Sequence, residues 1–204
     1  MARRDVTAVV SGAGWIAGFA DKLIRALRQR NVSDEQIHSL VTDEGEIPVG
    51  KIAETLAECF NAAKNVFSVV VDYAHTLSKM IQDGHYDSVN DDITADHFPV
   101  SGEGVVEVKL ELVHFDRVME SDDVLKELDK AGLRPATLAE LLAFGAKYPE
   151  LQRQFPIIAL GAVWQRRGSR RGVPALCSSS GRLLALVYFA RRWYGPYRFL
   201  AFRK

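Results

Sequence analysis

The run from Val105 to Gly132 constrains the fold more than any other part of the chain. In VVEVKLELVHF, Val106, Val108, Leu110 and Leu112 alternate with Glu107, Lys109 and Glu111, the period of two that a strand buried on one face requires. SDDVLKELDKAG follows, with Ser121 at the cap position, two acids in the first turn and Gly132 where a helix stops. TLAELLAFGAKY then opens on Thr137 with Glu140 three residues on, the pattern of a capping box. Beyond it the texture changes to short β-like pieces: FPIIALGAVW, GVPAL, GRLLALVYF and YRFLAFRK. A strand, two capped helices and a string of short strands predict an α+β domain.

Upstream, FSVVVDY reads as another strand, HTLSKMIQDGHY as a helix stopped near Gly84, and SVNDDITADHFPVSGEG as a polar loop. Nearer the N-terminus the pattern is helical. Phe19, Leu23, Ile24 and Leu27 recur at helical spacing, Ser33 and Gln36 open a second segment, and Val49 to Ala63 carries Ile52, Leu56 and Phe60 on one side. The expected layout is a helical region over residues 1–64 and an α+β domain over 65–204, with its core at about 104–204. Gly12, Gly14 and Ala17 fit G-x-G-x-x-A, whose small residues let a backbone approach a pyrophosphate. That fingerprint needs a second strand ending in an acid, and the chain supplies the Ser33-capped helix instead. The small residues therefore read as helix packing or a turn, and no cofactor is expected.

Formal net charge is zero, but its distribution is lopsided. No acidic residue follows Glu150, so the last quarter is cationic and the remainder anionic by the same amount. Such asymmetry points to a partner or to a neighbouring acidic surface. Cys59 and Cys177 lie far apart without C-x-x-C spacing, which argues against a disulfide framework or zinc cluster and favours a cytoplasmic setting. Asp5, Thr7 and Ser11 interrupt the apolar N-terminal run, against a secretion signal, and no stretch approaches the roughly 20 apolar residues of a membrane helix.

Catalytic constellations are hard to find. His38, His75, His85, His97 and His114 show no metal-ligand spacing, and Ser178, Ser179 and Ser180 lack a nucleophile elbow and any later histidine. His97 beside Asp91, Asp92 and Asp96 is the remaining polar cluster, and it reads as a solvated loop. The last forty residues are more informative. There Leu184 and Leu186 face one way, Leu183, Ala185 and Val187 the other, and Phe189, Trp193, Phe199 and Phe202 supply further anchors. Between them stand Arg191, Arg192, Tyr194 and Tyr197, side chains typical of interfaces.

The strand VVEVKLELVHF, the step Gly132-Leu133-Arg134-Pro135-Ala136-Thr137-Leu138-Ala139-Glu140, LGAVW, VPAL, GRLLALVYF and the terminal YRFLAFRK together resemble the C-type lectin-like fold. The Gly132–Glu140 step is similar to the Arg-Leu-Pro-Thr-x-x-Glu of its formylglycine-generating-enzyme-like branch, and Tyr197-Arg198-Phe199-Leu200 to that branch's closing strand. Within the fold, the combination looks most like the variable proteins of diversity-generating retroelements, which display diversified residues on a lectin scaffold. The resemblance covers about residues 104–204. It implies a small antiparallel sheet, two helices and a loop-rich C-terminal half. It also implies a non-enzymatic protein binding a protein or other macromolecular ligand through Gln165, Arg166, Arg167, Ser169, Arg170, Cys177, Ser178, Ser179, Ser180, Ala185, Val187, Tyr188, Arg191, Arg192, Tyr194 and Tyr197. The calcium-site patterns of sugar-binding lectins and the paired reactive cysteines of a formylglycine-generating enzyme are absent from the chain. The N-terminal helices would then serve homo-oligomerisation or attachment. Two rival readings remain: a nucleic-acid-binding module using the Arg-rich, aromatic last quarter, and a catalytic domain built on the loop near His97.

Overall fold

A computed structural model describes residues 12–42, 45–63, 65–165, 168 and 170–204. Among these the protein is a mixed α+β chain of seven helices and nine strands. It divides into two units, Met1–Ala57 and Glu58–Lys204, the division falling within a helix. In the first unit, α1 (Gly12–Arg28) runs to a turn in which Asn31 takes a φ of 60°. The short α2 (Asp34–Ser39) begins at the expected capping box: Ser33 Oγ accepts from the Gln36 N–H and the Gln36 side chain accepts from the Ser33 N–H. α3 (Glu46–Ala63) starts earlier than its apolar spacing predicts. Pro48 sits in its first turn, where a missing N–H leaves no intrahelical bond unmade. No described helix is long and apolar enough to cross a membrane.

The second unit is built on one sheet. Its strands are β1 (Val66–Asp72), β2 (Ser88–Val89), β3 (Val105–Val113), β4 (Leu133–Pro135), β5 (Ile157–Ile158), β6 (Trp164–Gln165), β7 (Arg171–Ser178), β8 (Arg182–Tyr188) and β9 (Arg198–Arg203). The order is β1-β3-β9-β5-β7-β8-β2, with β4 added beside β9 and β6 beside β7. Most pairs are antiparallel, but β5–β9 and β2–β8 are parallel. The sheet is thus larger than the small antiparallel one expected, and mixed. The difference comes from β2 and β4, two or three residues each and too short to show a period of two, and from the parallel pairing of β5 with β9 and of β2 with β8.

The sheet's central strands are buried on both faces. On one, Phe67, Val69 and Val71 of β1 and Val108, Leu110 and Leu112 of β3 meet Leu138, Leu141, Leu142 and Phe144 of α6 (Leu138–Lys147). On the other, Val124 and Leu128 of α5 (Ser121–Lys130) pack with Ile158, Val173, Ala175, Phe199, Ala201 and Trp193. Adjacent residues divide between the two: Ile157 and Leu200 enter the first core, Ile158 and Ala201 the second. Each fully buried aliphatic side chain contributes roughly 1.5–3 kcal/mol. α5 ends where Gly132 takes a φ of 72°, and the chain turns back into β4.

Among the described residues two charged groups sit inside this frame. Glu140, fully buried, accepts from the Thr137 N–H at 2.8 Å as half of the α6 capping box and takes both guanidinium nitrogens of Arg134, at 2.6 and 3.0 Å. The step between the two helices is thereby locked to the N-terminus of the second. Arg182 is 6% exposed: its Nε donates to Gln152, in the short α7 (Leu151–Gln154), and its terminal nitrogens donate to the carbonyls of Gly84, at the end of α4 (Leu77–Asp83), and of Gly145. One cation of the last quarter is therefore an internal strap, not surface charge.

Candidate ligand-binding face

The β7–β8 hairpin carries the candidate residues, and its register decides which of them share a face. Val173 stands opposite Val187, Ala175 opposite Ala185, and Cys177 opposite Leu183. Directly opposed residues in an antiparallel pair point the same way. Val173 and Ala175 are buried in the second core, while Cys177 and Val187 are half-buried against its edge. The intervening residues Arg182, Leu184 and Leu186 turn to the opposite side, as the alternation in GRLLALVYF predicts. β6 extends the face, because Gln165 pairs with Arg171.

After β8 the chain runs along the edge of the second core, pinned by Trp193. This ring is 2% exposed, and its Nε1 donates to Ser121 Oγ at 2.8 Å, while Ser121 Oγ donates to the Phe189 carbonyl. Backbone bonds between Trp193 and Met119 fix it further. Ser121 therefore does not cap α5 as the sequence suggests; the cap position is Glu120, which makes no side-chain cap bond. The hydroxyl is consumed by the core instead.

The anchored segment presents Arg191, whose guanidinium lies 5.5 Å from the Trp193 ring centre and 5.1 Å from that of Tyr197. Tyr197 meets Trp193 edge to face at 5.1 Å, and Tyr194 meets Tyr197 at 6.0 Å. Burial pushes the Cys177 thiol pKa up, and the nearby Arg191 cation offsets this in part. Beneath Tyr194 and Tyr197 the surface dips into a cavity of only about 10 Å³, so this part of the face is shallow.

The register places Gln165, Cys177, Ala185 and Val187 on one side of the sheet, and Arg191, Tyr194 and Tyr197 gather about Trp193. The other predicted site residues fall elsewhere. Tyr188 follows Val187 by one residue and so lies on the opposite side, with the Arg170 guanidinium 5.9 Å from its ring centre. Ser178, Ser179 and Ser180 are exposed in the β7–β8 turn, and Arg192 reaches away to Glu120 at 3.8 Å. Arg166, Arg167 and Ser169 lie outside the described residues. Sequence reading missed two members: Leu183, opposite Cys177, and Arg171, whose guanidinium sits 3.8 Å above the Phe189 ring centre. The alternation of β8 already put Leu183 on the side of Ala185 and Val187, and the same rule would have found Arg171 had β7 been read as beginning there and not at Gly172.

The loop near His97 is held by local contacts: its Nδ1 donates to the Asp92 carbonyl at 2.8 Å, and the ring stacks on Trp164 at 4.0 Å. Among the described residues, no three His, Cys, Asp or Glu side chains converge in a way that could hold a metal ion. Compared with protein-family models, curated proteins and solved structures, the chain matches none.

Proposed function

We propose that the chain is a non-enzymatic ligand-binding protein of the lectin-like kind used by diversity-generating retroelements, with the face around β7 and β8 carrying residues chosen for recognition. The observation that carries this reading is a separation of roles along residues 170–199. Every described candidate residue there is exposed or half-buried, whereas the framework residues between them, Leu176, Leu184, Phe189, Trp193 and Phe199, are at most 2% exposed. A surface of this kind accepts new side chains without disturbing the packing beneath. The path of the chain supports the lectin-like part: β3, α5, β4 and α6 come first, the short strands follow, and β9 returns antiparallel to β3, Leu112 facing Leu200 and Leu110 facing Phe202. The N-terminal helices leave Phe19, Val49 and Leu56 exposed, which suits a role in self-association or attachment.

Sequencing the same locus from several close isolates tests the proposal. Substitutions concentrated at the face positions, with the framework constant, are expected. Substitutions scattered along the whole chain would defeat it.

A further inference from the structure

Several arginines of the second unit are paired within the molecule: Arg134 with Glu140, Arg203 with Glu111, Arg192 with Glu120, Arg117 with Glu127 and Arg153 with Glu150, and Lys204 likewise with Asp129. Of the described arginines that make no ion pair, Arg182 is buried on backbone carbonyls, Arg198 donates to the carbonyls of Pro196 and Tyr197, and Arg170 lies beside Tyr188 on the opposite side. Arg171 and Arg191 belong to the face. Arg171 lies flat over Phe189 and Arg191 stands beside Trp193 and Tyr197, and among the described residues neither makes an ion pair. A guanidinium held against a ring loses little further freedom on binding and still offers its in-plane N–H groups.

Resting on the ligand-binding reading above, we infer that this face takes an acidic protein segment, whose carboxylates seat on Arg171 and Arg191 while its apolar side chains lie over Val187 and Cys177. Charge complementarity carries the choice of partner. No acidic residue follows Glu150, so the face offers cations without competing carboxylates of its own segment. The planar fork of each arginine matches a carboxylate bidentately. A protein suits the surface better than a nucleic acid, for a phosphate backbone is tracked by many cations, roughly 6–10 contacts, whereas among the described residues two guanidinia flank half-buried aliphatic and tyrosine surface. The shallow relief favours an extended chain over a small metabolite.

The test uses the full chain and three labelled probes in fluorescence anisotropy: a short peptide of alternating glutamate and leucine, the same peptide with glutamine for glutamate, and oligothymidylate of matched charge. The glutamate peptide should bind at least about tenfold tighter than either comparator, and Arg191→Gln should remove about tenfold of that affinity. Val187→Trp, which fills the apolar strip, should weaken both peptides. Equal affinity for the two peptides, both weakened by Val187→Trp, would overturn the acidic preference while leaving the face as a binding surface. Peptide binding indifferent to Val187→Trp, or no peptide binding at all, would overturn the use of this face as well. Tighter binding of oligothymidylate would replace the inference with the nucleic-acid reading.

Discussion

At the scale of single residues, two side chains report on how the site and its support are made. Cys177 sits at the margin of the face with its thiol pKa raised by burial, Arg191 opposing the shift. Because the thiolate is the reactive form, a raised pKa makes it scarce at neutral pH. Alkylation by iodoacetamide, read at residue 177 by mass spectrometry, should be slower than for a free cysteine and should accelerate only above the ordinary thiol range. Arg191→Gln should slow it further, since the cation that favours the thiolate is gone; acceleration by that variant would show that the two do not face each other. Glu140 works differently, as a fully buried carboxylate answering a half-exposed Arg134 and a helix N-terminus. Glu140→Ala should cost about 3 kcal/mol, because it strands the guanidinium and the Thr137 N–H. Glu140→Gln keeps one acceptor and should cost less. Denaturant midpoints compare the two, and equal losses would mean that the charge plays no part.

At the scale of elements, the segment from Phe189 to Phe199 shows how a displayed surface is kept separate from its support. Trp193 is buried and hydrogen-bonded to Ser121, whereas Tyr194 beside it is 58% exposed. Trp193→Ala should therefore cost about 3–5 kcal/mol, and Ser121→Ala about 1–3 kcal/mol through the unpaired indole N–H and Phe189 carbonyl. Tyr194→Ala and Tyr188→Ala should change stability by no more than about 0.5 kcal/mol. Thermal unfolding of the four variants checks this, and a large loss at Tyr194 would place it in the framework. The same contrast explains what could be read in advance. β3, α4, α6 and the alternation of β8 were legible because burial on one face stamps a period on the sequence. Ser121 was misread because its hydroxyl answers Trp193 and Phe189, partners 72 and 68 residues away, and a cap pattern carries no trace of them. β2, beside β8, was invisible for a related reason: two residues in a polar loop are recruited by pairing alone.

At the scale of the whole molecule, the lopsided charge of the sequence is resolved in part by folding. The chain's last quarter returns to strands and helices of its anionic part, where Arg203 meets Glu111, Lys204 meets Asp129 and Arg192 meets Glu120, and Arg182 disappears into the interior. The neighbouring acidic surface that the sequence could only suggest belongs to the same domain. This bears directly on the competing nucleic-acid reading, which draws on the cationic total. A protein that contacts a polyanion through many cations releases as many counterions, and its affinity falls by roughly 10³–10⁵ between 50 and 200 mM salt. The described residues leave two guanidinia to the face, and two contacts limit the corresponding fall to about tenfold. Titrating the acidic peptide across that salt range should give the shallow dependence, with affinity retained at the upper end. A steep loss would mean that more of the C-terminal cations engage the ligand than the ion pairs allow, and the internal neutralisation inferred from the fold would have to be abandoned in the bound state.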